Sequence, residues 1–494
     1  MRHADAVTDP DSPVASAARA FLGEAWSRLR ELGVVPPSPY RRHLRVGRDY
    51  FGDDVMHRPA FKALESAIEA AYSRFNPVRP LGAREFPSSY VFPFLETFVA
   101  RLGRQDFAAD GPVATETIRD LEAALAAEDY EVVCCRAVSH MTTTDGQPID
   151  FTHVRVAPVD APAHDHTRRL LKIVEEALPG GAHTYVNADL HMYAPPESVV
   201  ISQESQPKLE GLNSTVSQRI ERFMLLVRLL KPGSSESMFE VQGSPSPIRP
   251  PQPQFERFRG AGPVYFSFTP LAARDIVLSV ADVPRVDGLD KLLASVDGAQ
   301  PGMVFTSLGM ALNKFVLAYH SFAWFEQIVD LATAFEAALS GVSTSDVTLR
   351  LRTRAAGLLA TSSDPATAIF DDIKVLYELR SKLVHGGSLT LKTLLKGIGK
   401  LSTVPTGVPD GEMPAHAVER LRDLVRRAIL ARICLAAGAA PLWPIALDRD
   451  DHVDAALADD VNRGTWRDAW HQALASFDAL GSTERPGAAG PAVP

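Results

Sequence analysis

Arg380 and His385 are the pair in this chain best suited to acting on a phosphate. They bracket the run Arg380-Ser381-Lys382-Leu383-Val384-His385, which Gly386 and Gly387 follow at once. An imidazole exchanges protons near neutral pH, and a guanidinium carries a permanent charge on a planar fork that matches phosphate oxygens. Together they offer acid/base catalysis by His385 beside an anion held by Arg380. Ser381 and Lys382 add a hydroxyl and an ammonium that can contact the same ligand. The structural alternative is a buried arginine and a helix-terminal histidine that merely favours the negative end of the helix dipole.

The element that must position this pair is a helix. Ile369, Ile373, Leu376, Leu383 and Val384 recur at helical spacing, and Arg380 falls in the middle of their apolar arc. A guanidinium cannot shed its proton, so burial there is costly unless a partner, an interface or a bound anion compensates. Ser363-Asp364-Pro365 is a start signal, with aspartate as a cap and proline in the tolerated first turn. Five residues on an ideal helix turn through about 140°, so Arg380 and His385 diverge. They converge only if the last turn distorts at Gly386-Gly387, or if two copies meet across a dimer axis.

An Arg-(four to six residues)-His motif closing such a helix resembles the signature of HEPN domains. The stretch from Phe325-Glu326-Gln327-Ile328-Val329-Asp330 through Ile369–Arg380 to His385-Gly386 resembles the ApeA-like branch, over roughly residues 305 to 440. The resemblance implies an all-helical bundle and a homodimer through the C-terminal helices. It also implies metal-independent endoribonuclease action on RNA, with Arg380 and His385 catalytic, in an antiphage abortive-infection or toxin-like setting. No metal or cofactor is implied, because the ribose 2′-hydroxyl supplies the nucleophile. The residue after the arginine is often Asn, Asp or His in active members, and here it is Ser381. The N-terminal region would sense a trigger, phage-derived or nucleic acid, or restrain the nuclease. The rival expectation is a non-catalytic HEPN module that dimerises or binds RNA.

Other candidates weigh less. Between Asp346 and Lys400 stand nine basic residues (Arg350, Arg352, Arg354, Lys374, Arg380, Lys382, Lys392, Lys396, Lys400) against five acids. That local excess suits a phosphate-tracking surface or simply a solvated helix face. His140, His153, His164, His166, His183 and His191 crowd into one stretch and, with Asp165, could ligate a metal. No HExxH, no paired cysteines and no repeated ligand spacing accompany them, so surface and strand-bound histidines are expected and no metal site. Lys396-Gly397-Ile398-Gly399-Lys400 lacks the first glycine of a phosphate loop, and Leu401 follows the lysine. There is no GxGxxG and no GxSxG.

At 494 residues the chain is expected to hold two or three domains. A net charge of -9 excludes a generally basic nucleic-acid coat. Three cysteines without a CxxC pair suit a reducing cytoplasm, and residues 1 to 13 have no apolar signal core. The Ala-, Arg- and Asp-rich usage fits a high-GC bacterial coding sequence. The expected fold is multidomain: an N-terminal α+β region followed by an all-α HEPN-like bundle. Residues 1–13 are expected to be disordered, 14–128 helical, and 129–302 an α+β domain with a Pro-rich loop at 244–253. Residues 303–480 are expected to form an independent helical domain, and 481–494 a disordered tail. Strands are expected at Tyr130–Val138 and Ile149–Ala157, joined as a hairpin through Asp145-Gly146, and at Ser198–Ser202, Met238–Gln242 and Pro263–Phe268. One long helix is expected to carry Ala318, Phe322, Phe325, Val329, Ala332 and Leu339 to a stop at Gly341.

Overall fold

The computed structural model describes residues 12–31, 57–75, 88–102, 106–127, 129–161, 166–177, 196–207, 215–243, 248, 275–296, 306–321, 323–340, 346–385, 390–444 and 450–483. Among the described residues the chain opens with four helices, α1 (Pro13–Glu31), α2 (Pro59–Phe75), α3 (Ser88–Leu102) and α4 (Pro112–Ala126). Their apolar stripes meet in a core of their own around Phe21, Leu22, Phe61, Phe94, Phe98 and Leu121. Phe21 and Phe61 meet edge to face at 5.9 Å, the geometry that aligns a ring's positive edge with its neighbour's negative face.

A small sheet follows, built from β1 (Asp129–Ser139), β2 (Met141–Thr143), β3 (Ile149–Asp150), β4 (Arg155–Pro158), helix α5 (His166–Ala177), β5 (Ser198–Pro207), helix α6 (Thr215–Leu230), β6 (Glu236–Gly243) and β7 (Ile276–Leu278). Five strands pair antiparallel in the order β3-β4-β5-β1-β6. Both faces of β1 are buried because its alternate residues feed two cores. Val133, Cys135 and Ala137 pack with Leu170, Ile173 and Val174 of α5. Val132, Cys134 and Val138 join the main core with α6. Pro263–Phe268, most of the Pro-rich loop 244–253 and the tail from 484 lie outside the described residues.

Two strand expectations are corrected. The Asp145-Gly146 turn forms, with Gly146 at φ 62°, but it does not close a hairpin onto β1. β1 is central and already paired on both edges by β5 and β6, and the short β2 leaves it to run parallel to β7. The expected strand Ile149–Ala157 is instead two strands, β3 and β4, folded back on each other.

Helix α7 (Asp282–Ala294) leads into eight further helices among the described residues: α8 (Ser307–Ala318), α9 (Trp324–Leu339), α10 (Val347–Leu359), α11 (Ala366–His385), α12 (Leu391–Ile398), α13 (Met413–Ala436), α14 (Asp450–Ala458) and α15 (Asp460–Thr483). The single long helix expected across Ala318–Leu339 is broken between α8 and α9. Tyr319 ends α8 and bonds away from the axis, its hydroxyl donating to the Gly233 carbonyl at 3.3 Å. Gln327 Nε2 caps the intervening turn by donating to the Ser321 carbonyl at 2.5 Å. No helix among the described residues is long and apolar enough to cross a membrane.

The expected boundary at 302/303 meets a core that runs straight across it. Leu225 and Leu229 of α6 and Leu289 and Leu293 of α7 belong to the same buried cluster as α9, α11 and α13. Gly288 of α7 sits so close to Phe477 of α15 that an added Cβ would lie 2.4 Å from the ring. One face of a small sheet cannot cover two amphipathic helices, so α6 and α7 bury their stripes against the helical half. Residues 303–480 expressed alone are therefore expected to bind a hydrophobic dye and to unfold without a sharp transition. A fragment starting at Thr215 should unfold cooperatively. Circular dichroism and dye fluorescence on both fragments check this.

Candidate functional site

The site is built on α11. Its N-terminal half is locked by a buried ionic cluster. Asp372 is 1% exposed and accepts from the Ser402 backbone N–H (2.8 Å), the Ser402 hydroxyl (2.6 Å) and Arg420 Nε (2.8 Å). Arg420, on α13, also forms a two-pronged pair with Asp364, at 2.9 Å on each arm, and Arg427 joins the same carboxylate. Asp364 thus spends its side chain on arginines and not on the helix-capping role expected from Ser363-Asp364-Pro365. Burial alone would raise the Asp364 carboxyl pKa. The hydrogen bonds and charges of Arg420 and Arg427 outweigh it, and the net shift is downward.

Two turns further on, Arg380 lies on the flank of the packed face and not in the middle of the apolar arc that the wheel implies. Ile369, Ile373 and Leu376 are buried, Leu383 packs at the margin, and Val384 is exposed. Arg380 itself is half-buried, and its Nε is shut off from solvent with no hydrogen-bond partner. One turn before it, Tyr377 donates to the Ala332 carbonyl of α9 at 3.2 Å. Burial, and then the neighbouring Glu336, push the Tyr377 hydroxyl well above its ordinary range, with Arg380 pulling the other way. Tyr377, Glu336 and Arg380 therefore form one electrostatic neighbourhood between α9 and α11. Tyr377 is legible in the sequence as the residue three before Arg380 on the same helix face; Glu336 arrives only by packing.

His385 ends α11 and is exposed, as are Ser381 and Lys382. Gly386-Gly387 lies outside the described residues. The basic surface is smaller than the residue count implied. Arg354 is buried against Asp454 (2.7 Å) and the Leu339 carbonyl (2.6 Å), and Arg350 reaches Asp454 at 3.2 Å. Arg352 lies over the Phe370 ring at 3.7 Å and donates to the Phe370 carbonyl. Those three arginines hold helices together. The free charge that remains is on Lys374, Lys382, Lys392, Lys396 and Lys400, all exposed. Lys396-Gly397-Ile398-Gly399-Lys400 is the end of α12 and the turn after it, with Ile398 buried, so it offers no phosphate loop.

Among the histidines, His153 is exposed, His164, His183, His191 and Asp165 are not described, and the side chain of His166 is not described either. His140 departs from the expectation of scattered histidines, because it meets the carboxylates of Glu197 and Asp275. Nothing in the residue spacing announces that grouping. No family model matches the chain, and no curated protein and no solved structure matches it either.

Proposed function

We propose that the helical half of this protein is a HEPN-type, metal-independent endoribonuclease acting on RNA. The observation that carries the proposal is a half-buried Arg380, its Nε shielded and unpartnered, on the same helix as an exposed terminal His385. A phosphate oxygen would give this half-buried guanidinium an acceptor that matches its planar fork. In the proposed reaction, His385 takes the proton from the ribose 2′-hydroxyl as that oxygen bonds to the adjacent phosphorus, or protonates the 5′-oxygen as its bond to phosphorus breaks. Arg380 stabilises the charge gathering on the non-bridging oxygens. Ser381 and Lys382 contact the same phosphate, and the exposed lysines nearby track the backbone. Antiphage abortive infection or a toxin-like role, with the N-terminal region as sensor or restraint, is the setting proposed for this activity.

A second copy would bring the diverging Arg380 and His385 to one cleft, so a homodimer through the C-terminal helices is part of the proposal. Full-length protein incubated with total RNA in chelator should release fragments with 5′-hydroxyl ends and leave DNA of the same sequence intact. Light scattering at micromolar concentration should report two chains per particle. RNA retention without cleavage would assign the domain instead to the non-catalytic class that dimerises or binds RNA. A monomer with and without RNA would remove the proposed active site.

A further inference from the structure

Three side chains from separate parts of the middle region converge on one point. His140 lies between β1 and β2, Glu197 just before β5, and Asp275 just before β7. Their ligand-type atoms all lie within 4.8 Å of one another. Nδ1 of His140 is 3.0 Å from Oδ1 of Asp275. The other ring nitrogen, Nε2, is shut off from solvent and has no hydrogen-bond partner. Nδ1 is thus the nitrogen that faces the carboxylates; an ion there would replace its contact with Asp275, the ring proton then residing on Nε2.

Backbone bonds hold all three residues in place. The Ile276 N–H donates to the His140 carbonyl at 2.9 Å, which ties Asp275 to the β1–β2 turn. The Glu197 N–H donates to the Val138 carbonyl at 2.9 Å, and its own carbonyl accepts from Val159 at 2.7 Å. His140 itself sits at φ 58°, a left-handed conformation that costs an ordinary residue about 1–2 kcal/mol. Charge points the same way. Glu197 and Asp275 bring two carboxylates to one imidazole, and a third, Glu236, lies within electrostatic reach of His140.

We infer that His140, Glu197 and Asp275 form a binding site for a divalent transition-metal ion, zinc or manganese in type. One imidazole and two carboxylates neutralise a dication and leave at least one coordination position for water or another ligand. The imidazole favours such ions over magnesium or calcium, which prefer an all-oxygen shell. Asp275 is 51% exposed, which opens a route for the ion from solvent. Bound metal would pin the β1–β2 turn, the lead into β5 and the lead into β7 together. The site is independent of the Arg380–His385 chemistry, which needs no ion.

The test uses the full chain, stripped with chelator and dialysed, then titrated with Zn²⁺ and in parallel with Mn²⁺ and Mg²⁺ by calorimetry. One saturable equivalent of Zn²⁺ or Mn²⁺ is expected, with weaker Mg²⁺ binding and a rise in Tm on loading. Glu197→Gln and Asp275→Asn keep shape while removing charge, and each should weaken binding by on the order of 100-fold. Their circular dichroism in chelator should match the parent. No saturable binding by the unmodified chain overturns the inference whatever the variants do. So does binding of unchanged affinity in both variants, which would place the ion at other histidines.

Discussion

Replacing His385 by alanine is expected to cut RNA cleavage by roughly 10²–10⁴-fold, the range that positioned acid/base groups supply, and to leave the fold intact. The side chain is exposed at the end of α11, so its truncation should change stability by no more than about 0.5 kcal/mol. Arg380→Ala should lose on the order of 10²–10³-fold, as removal of a charge-stabilising donor does. Arg380→Lys should not restore it, because a point ammonium cannot present the planar fork to two phosphate oxygens. Gel assays of initial rate, with thermal melts of each variant alongside, make the measurement. Wild-type cleavage by His385→Ala would sink the assignment of chemistry to this helix.

Asp372→Ala is expected to be the most damaging single change to the helical half, costing about 3–5 kcal/mol. The carboxylate is 1% exposed and holds Ser402 and Arg420 together; its loss leaves Asp364 as the one carboxylate shared by Arg420 and Arg427 and strips the buried Arg420 Nε of its acceptor. Asp371, its neighbour in sequence, makes only a long 3.7 Å contact to Arg352 from a largely exposed position. Asp371→Ala should therefore be nearly silent. Urea midpoints for the two variants make the comparison, and equal midpoints would refute the role given to the buried cluster. The same cluster sets an acid limit. Asp364 has its pKa lowered below the ordinary 3.8, so its contribution is complete above that value and is lost as pH falls through the lower folded-state value. Protonation there releases Arg420 and Arg427 together, and α11 should loosen from α13 at acid pH.

Local patterning was enough for the elements that carry the proposed chemistry. The spacing of Ile369, Ile373 and Leu376 places α11, but Arg380, which the wheel sets in the middle of the apolar arc, lies at the edge of the packed face because Leu383 is only partly covered and Val384 is exposed. The region of β1 is legible for the same reason: helical and strand periods are properties of neighbouring residues. Three things depended on tertiary packing. Strand pairing joins residues far apart in sequence, so β1 turned out to be central and the hairpin through Asp145-Gly146 did not form. Apolar stripes say that a helix must be covered and not by what, so the core crosses the expected boundary at 302/303 through α6 and α7. Side-chain charge has no period at all. Whether Arg350, Arg352 and Arg354 face solvent or bind Asp454 and Phe370, and whether His140 meets Glu197 and Asp275, is decided only when distant segments are brought within a few ångströms.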